Sequence, residues 1–372
     1  MDDAAVGAVG AGGDGGDRRP PGLVARVDAF QRRHPWAGGP LAVAYKFFDD
    51  QSGYLTALIT YYGFLSVFPL LLLMVTVLGF LLEGDAALQE RLVDSALSQF
   101  PVLGTQLGEN VQSLQGSRVA LVIGVTVSLY GGLGVAQATQ AAFNRVWAVP
   151  RNERPNPLLA RVRSGALLLV LALGLVVTTI LTALTAGTAT LAPQLGPVAR
   201  VSIWLLGSVV HTALFVLAFW LLTARAVPAR AHLPGALTAV AGWQLLQLGG
   251  TYYVEHVLRG ANSTYGLFGI VLGLMAWIYL GALTVVLAAQ INAVRTRRLW
   301  PRSLLTPFTD SVDLTAADER AYASYARSER HKGFQRVDVA FSPRPDQLEQ
   351  AGPPHEAHEA HQAHDGHAAN GQ

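Results

Sequence analysis

The run Leu267–Val294, LFGIVLGLMAWIYLGALTVVLAAQINAV, holds 28 residues without an Asp, Glu, Lys or Arg. As a helix rising 1.5 Å per residue it would be ~42 Å long, more than the ~30 Å hydrocarbon core of a bilayer. Five further charge-poor windows precede it. The spacing predicts helices over about 54–82, 119–142, 164–186, 201–223, 236–254 and 267–294, the fifth being the shortest and most polar. A single apolar helix fits the core of a soluble protein, but such helices rarely stay uncharged beyond roughly 18 residues, and six in one chain point to a membrane bundle. The first window follows a charged leader of about 50 residues and has no small-residue cleavage site after it, unlike a secretory signal. The expected fold class is therefore an all-α integral membrane protein with six transmembrane helices.

Composition agrees. Of 372 residues, 51% are hydrophobic and 14% charged, against roughly 25% charged in soluble chains; mean hydropathy is +0.33. The net charge of +2 is too balanced for a nucleic-acid-binding domain, and the absence of cysteine excludes disulfides, thiolate-bound metals and a thiol nucleophile.

Basic residues near span ends stay cytoplasmic. Alternate connections carry 23 Lys and Arg on one side and 4 on the other, out of 27, which predicts cytoplasmic N- and C-termini. The chain divides into a leader (1–46), a six-span domain (47–298) and a polar tail (299–372). The leader opens with an Ala/Gly/Asp-rich stretch expected to be disordered. Nearer the membrane, Val24, Val27, Phe30 and Trp36 among Arg26, Arg32, Arg33 and His34 suit either a short helix on an anionic leaflet or a solvated linker. Between the first two spans, Leu88, Leu92, Leu97 and Phe100 recur at helical spacing and predict a capping helix on the outer face. In the tail, a short helix is expected around Ala316–Ser328.

Arg145–Arg163 (RVWAVPRNERPNPLLARVR) is the most basic connection. Arg151, Arg154, Arg161 and Arg163 are candidate contacts for anionic phospholipid headgroups, at about 1 kcal/mol per residue near the surface, or simply the determinant of topology. His355, His358, His361, His364 and His367 recur every third residue, which aligns them on a polyproline-type strand; metal capture is chemically open to them, but spacing alone is weak evidence and a drifting Ala/His-rich tail is the favoured reading. No other metal ligand set and no cofactor is expected.

Within the spans no Asp or Glu occurs, so an intramembrane carboxylate relay has no residue to use. Neutral polar residues form stripes instead: Tyr62, Ser66 and Pro69 on the first helix, with a kink expected at Pro69; Tyr130, Gln137, Gln140 and Asn144, followed by Arg145, on the second; Gln244, Gln247, Thr251 and then Glu255 on the fifth. His211 is the lone ionisable side chain at depth. These residues either line a polar pathway or bond helix to helix. Gly124, Ser128 and Gly132, and Gly269 with Gly273, have the spacing of close helix contacts.

Four segments carry a resemblance: LTALITYYGFLSVFPLLLLMVTVLGF (Leu55–Phe80), YGGLGVAQATQAAFNRVW (Tyr130–Trp147), HLPGALTAVAGWQ (His232–Gln244) and Thr264–Val294, which closes on AWIYLGALTVVLAAQINAV. In this order and spacing they resemble the YihY/BrkB family of bacterial inner-membrane proteins over roughly Phe47–Arg298. The resemblance implies six spans and a bacterial plasma (inner) membrane location; some members are linked by name to virulence or serum resistance, some have been considered lipid or solute exporters, and some carry an older ribonuclease label. Gln290-Ile-Asn-Ala departs from the Gly-Ala-Glu that precedes the Asn in many relatives. The core has no carboxylate cluster for two-metal hydrolysis, so no enzyme activity is expected. The function expected is a transporter or lipid/solute exporter of unnamed substrate; the alternative is a non-transporting membrane scaffold and, after it, a membrane-bound ribonuclease as in the older family label. The expected partner is the lipid bilayer and not nucleic acid.

Overall fold

Six long helices carry the six apolar runs in the computed structural model, which describes residues 23–81, 118–189, 196–253, 263–306 and 312–341. The outer capping helix, Glu255 and the His-rich tail lie outside the described residues. Two helices precede the first long one: α1 (Leu23–Arg33) and α2 (Pro35–Asp49). The long helices are α3 (Ser52–Leu81), α4 (Arg118–Val146), α5 (Pro157–Ala189), α6 (Gly196–Leu222), α7 (Leu233–Tyr253) and α8 (Ser263–Thr296). A last helix, α9 (Ala316–Ser328), follows in the tail. Among the described residues there is no strand.

The long helices outrun the charge-free windows because missing charge marks the bilayer core and not the helix end. α5 starts seven residues before the expected 164: Asn156 caps it by accepting from the Leu159 N–H at 2.7 Å, with Pro157 in the first position. Its first two turns therefore carry Arg161 and Arg163. At the other ends, α2, α4 and α8 stop where Gln51 (φ 54°), Ala148 (φ 45°) and Arg298 (φ 52°) enter the left-handed region, and the Val149 and Leu299 N–H groups reach back to the carbonyls of Asn144 and Val294.

Each long helix packs on the next in chain order, and α8 returns to pack on α3, so the six close a ring. One hydrophobic cluster joins Phe143 and Trp147 at the end of α4, Leu167 early in α5, Phe219 and Leu222 at the end of α6, Ala239 early in α7 and Ala288 late in α8. Another joins Ile59 early in α3 to Ala142 and Val286. The starts of α3, α5 and α7 thus meet the ends of α4, α6 and α8 at one end of the ring, and neighbouring helices alternate in direction.

Outward faces are apolar. Leu169 on α5, Val209 on α6, Leu248 on α7 and Phe268 on α8 are each more than 60% exposed, a surface that water would penalise and lipid accepts. Among the described residues, Pro157–Thr178, Trp204–Leu222 and Val271–Thr296 are long and apolar enough to cross a membrane.

Candidate functional site

Charge collects where the helix ends meet. Asp49 and Asp50 close α2, and Lys46 stands one turn earlier. Lys46 Nζ lies 2.8 Å from Asp50 Oδ2 with both side chains fully buried, and faces the Tyr325 ring at 5.2 Å. Gln290 of α8 donates from Nε2 to the same carboxylate at 2.9 Å and to Ser52 Oγ at 2.8 Å, which ties the first long helix to the last. Burial pushes the Lys46 ammonium below its ordinary pKa, and the Asp50 charge opposes that shift. Asp50 Oδ1 and Gln290 Oε1 are enclosed without a partner.

Beside it, the fully buried Arg302 guanidinium pairs with Asp318 and, at 3.2 Å, with Asp49, between the rings of Tyr45 and Tyr322. Burial raises the Asp49 pKa and Arg302 counters it. Asp318 also completes a capping box with Thr315 at the start of α9. One carboxylate therefore both starts the tail helix and anchors it to the bundle. On α1, Gln31 donates to the Arg302 carbonyl at 2.6 Å and Asp28 accepts from the Leu304 N–H at 2.9 Å. The polar side of α1 thereby docks, leaving Val27, Phe30 and Trp36 exposed. The segment expected as either interfacial helix or linker is helical.

The arginine-rich connection is partly engaged by the tail. Glu329 accepts from Arg145 at 3.2 Å and Arg151 at 2.7 Å, and Arg330 pairs with Glu153. The Arg151 hydrogen bond holds Glu329 below the usual carboxylate range. Arg154 donates to the Val149 carbonyl at 3.2 Å, and Arg161 is exposed.

Arg163 has another setting. It lines an open cleft of about 680 Å³ with Trp220, Leu221, Arg225, Val227 and Pro228, between the early turns of α5 and the end of α6. Arg163 Nη1 is buried without a hydrogen-bond partner. Arg225 reaches inward to the Trp147 carbonyl at 3.3 Å. The Trp147 ring stands edge-on to that of His232, 5.7 Å between centroids, and Trp147 Nε1 and both His232 ring nitrogens lack partners. Burial lowers the His232 pKa, which keeps the ring neutral. Arg297, whose pKa is lowered by burial and then by the nearby Arg225 charge, also has an enclosed, unpartnered Nη1.

The expected polar stripes divide. Tyr62 lies against Gly134 and Ser66 against Gly131, so this face of α3 is the contact with α4; Ser66 Oγ donates within its own helix to Gly63 at 2.9 Å. Pro69 lies within α3. On α4 the four expected residues differ in burial: Tyr130 is 67% exposed and Gln137 exposed, whereas Gln140 and Asn144 are buried. Asn144 lies seven residues beyond Gln137, at nearly the same angle around the helix, so the difference is one of cover along the axis. Gln140 Nε2 donates to Ser164 Oγ at 2.8 Å and the Ala160 carbonyl at 3.1 Å, while Asn144 Oδ1 is enclosed and unpartnered. His211 is half-buried and donates from Nδ1 to Gly207 of its own helix at 2.8 Å, not to a neighbouring helix. Gln244 donates to Ser208 Oγ on α6 at 3.1 Å; Gln247 is half-buried and accepts from Thr251 at its carbonyl, 2.9 Å. The expected close contact at Gly269 is absent, since a Cβ there meets open space.

Sequence reasoning missed Lys46–Asp50–Gln290, Arg302 with its two carboxylates, and Trp147–His232. Counting charge inside spans hides groups that sit just outside them. The signals available were the i,i+4 pair Lys46/Asp50 immediately before an apolar run, and Trp147 and His232 directly flanking two spans. Among the described residues, no three His, Asp or Glu side chains come together as a metal site.

The family model "Virulence factor BrkB" matches residues 43–308. The chain is similar to "Inner membrane protein YhjD" of Escherichia coli (strain K12), 26% identical over 278 residues, 70% of this chain and 82% of that protein. It is also similar to "Putative ribonuclease-like protein YfkH" of Bacillus subtilis (strain 168), 25% identical over 259 residues, 65% of this chain and 90% of that one. No solved structure matches the chain.

Proposed function

The chain belongs to the YihY/BrkB family of membrane proteins, and from that premise we propose that it is a six-span transporter or exporter of the plasma membrane with both termini in the cytoplasm. The closed ring of alternating helices supports the span count. The 23-to-4 bias of basic residues supports the orientation.

The observation that carries transport is the gathering of enclosed polar atoms without partners at one end of the ring: Asn144 Oδ1, Trp147 Nε1, both His232 ring nitrogens, and Nη1 of Arg163 and of Arg297. Each unmet group costs about 1–3 kcal/mol. A scaffold whose polar residues only join helices would pair them, as Gln140 and Gln244 do. Groups left unpaired suit an interior that water or cargo enters.

Reconstitution of the full chain in liposomes tests this, with fluorescent phosphatidylglycerol and phosphatidylcholine followed from one leaflet to the other. Movement that Asn144→Leu suppresses at unchanged protein level is the expected result. A protein that moves neither lipid nor a panel of labelled anionic solutes, but copurifies with a defined complex, would be a scaffold instead. Nuclease activity that survives purification and is lost on a point substitution would overturn the reading. Since the chain lacks cysteine, a single cysteine placed at 320 or at 105 reports topology directly: an impermeant maleimide should label 105 from outside and 320 only after lysis.

A further inference from the structure

At the charged end, carboxylates are matched to particular basic groups. Asp28 pairs with Arg32, Asp50 with Lys46, Asp49 and Asp318 with Arg302, Glu153 with Arg330, and Glu329 with Arg145 and Arg151. Arg163, Arg225 and Arg297, like Arg154, Arg161, Arg230, Arg295 and Arg298, have no ion pair among the described residues, but Arg163 and Arg225 share one cleft and Arg297 lies close to Arg225. Three guanidinium groups are thus concentrated where α5, α6 and α8 meet, and they cannot shed their protons to relieve the repulsion.

Arg163 and Arg225 share the cleft, and Arg225 also bonds the Trp147 carbonyl. Behind it stand two side chains that are almost completely enclosed, Trp147 at 1% and His232 at 0% exposure, with ring nitrogens that meet no acceptor. The unpartnered atoms on Arg163, Arg297 and Trp147 are all donors. Trp220, Leu221, Val227 and Pro228 form the rest of the wall, an apolar surface beside the charge. A ligand suited to this arrangement is anionic, accepts several N–H bonds at once and carries carbon beside its charge. Phosphate oxygens match the guanidinium fork geometrically, and the apolar wall suits the carbon of an ester.

We propose that the cleft between the early turns of α5 and the end of α6 binds the phosphate group of a phosphate ester through Arg163 and Arg225, with Arg297 adding positive charge beside Arg225. The site rests on the transport reading for its meaning as a cargo site, but binding is measured without any flux. Two sources share this chemistry, a phospholipid headgroup and a soluble phosphate compound.

The test uses the full chain in neutral detergent, with phosphatidylglycerol and glycerol 3-phosphate as separate probes, phosphatidylcholine as a lipid control, and binding read by native mass spectrometry and thermal shift. Wild type should bind at least one of the two anionic probes, and Arg225→Gln and Arg163→Gln should each lower that affinity tenfold or more. Arg225→Lys should fall between them and wild type, because it keeps charge and loses the fork. Arg327→Gln, exposed on α9 and away from the cleft, should bind normally. Melting temperatures without probe identify a variant that fails for want of folding; if Arg225→Gln fails in this way, Arg163→Gln and Arg225→Lys decide. Binding of phosphatidylglycerol alone assigns a lipid source, and binding of glycerol 3-phosphate assigns a soluble one. No binding of either, or unchanged binding in folded variants, overturns the site. Binding without transport in liposomes would keep the site and remove the function proposed above.

Discussion

Lys46 Nζ sits 2.8 Å from Asp50 Oδ2, and neither side chain is exposed at all. The pair joins the turn into α3 to Gln290 on α8, closing the helix ring at the seam between the first and last long helices. Such a pair gains little over an apolar substitute but is costly to break, because the survivor is a buried charge without a counter-charge.

Lys46→Met should therefore destabilise the protein by about 3–5 kcal/mol, seen as a large drop in melting temperature in detergent. Lys46→Met combined with Asp50→Leu should recover most of that loss, since Gln290 still has Ser52 as acceptor. A single variant as stable as the wild type would show that the Asp50 charge is reached by water.

Gly235 should tolerate no side chain. A Cβ there would overlap the Ala288 carbonyl and the Asn292 side chain, whose Oδ1 accepts from the Gly235 N–H at 2.7 Å. Gly235→Ala forces α7 and α8 apart and should lower stability by about 1–3 kcal/mol, the range for overpacking. Gly165→Ala, on α5 with nothing within 4 Å, should be neutral or stabilise by up to about 1 kcal/mol through helix propensity. Melting temperatures of the two variants moving together would refute this difference.

His232 should make stability fall with acid. Its folded pKa lies below the ordinary value because burial disfavours the charged ring. Above about pH 6.5 both folded and unfolded chains hold it neutral and it contributes no pH dependence. As pH falls below that value, the unfolded chain takes up the proton first and folding loses stability until the folded ring titrates too. His232→Gln should remove this component between pH 7 and 5. An unchanged pH profile of melting in that variant would place the sensitivity elsewhere.

Much of the fold was legible because membrane helices are written in composition. Lipid excludes unpaired charge over a fixed thickness, so gaps between charges locate helices without knowledge of their neighbours. α9 was expected around Ala316–Ser328, and the structure adds the local cap that fixes its start, Thr315 with Asp318 in the third position. The polar stripes were read less well. Tyr130 and Gln137 are exposed while Gln140 and Asn144, nearer the end of the same helix, are buried. Residue spacing places a side chain around a helix axis; it does not say how far the covering neighbours extend along it.

The sequence by itself determined the all-helical class, the long apolar helices and the family, because each depends on local apolar runs and motif order. Only the tertiary structure decided which charges are matched and which are left over. Lys46 finds Asp50 one turn away, but Arg302 finds Asp49 across 253 positions of chain, and Arg163 and Arg225 come to share one cleft from different helices. Ion pairing acts over a few ångströms of space, and the ring that brings chain ends together is closed by α8 packing on α3.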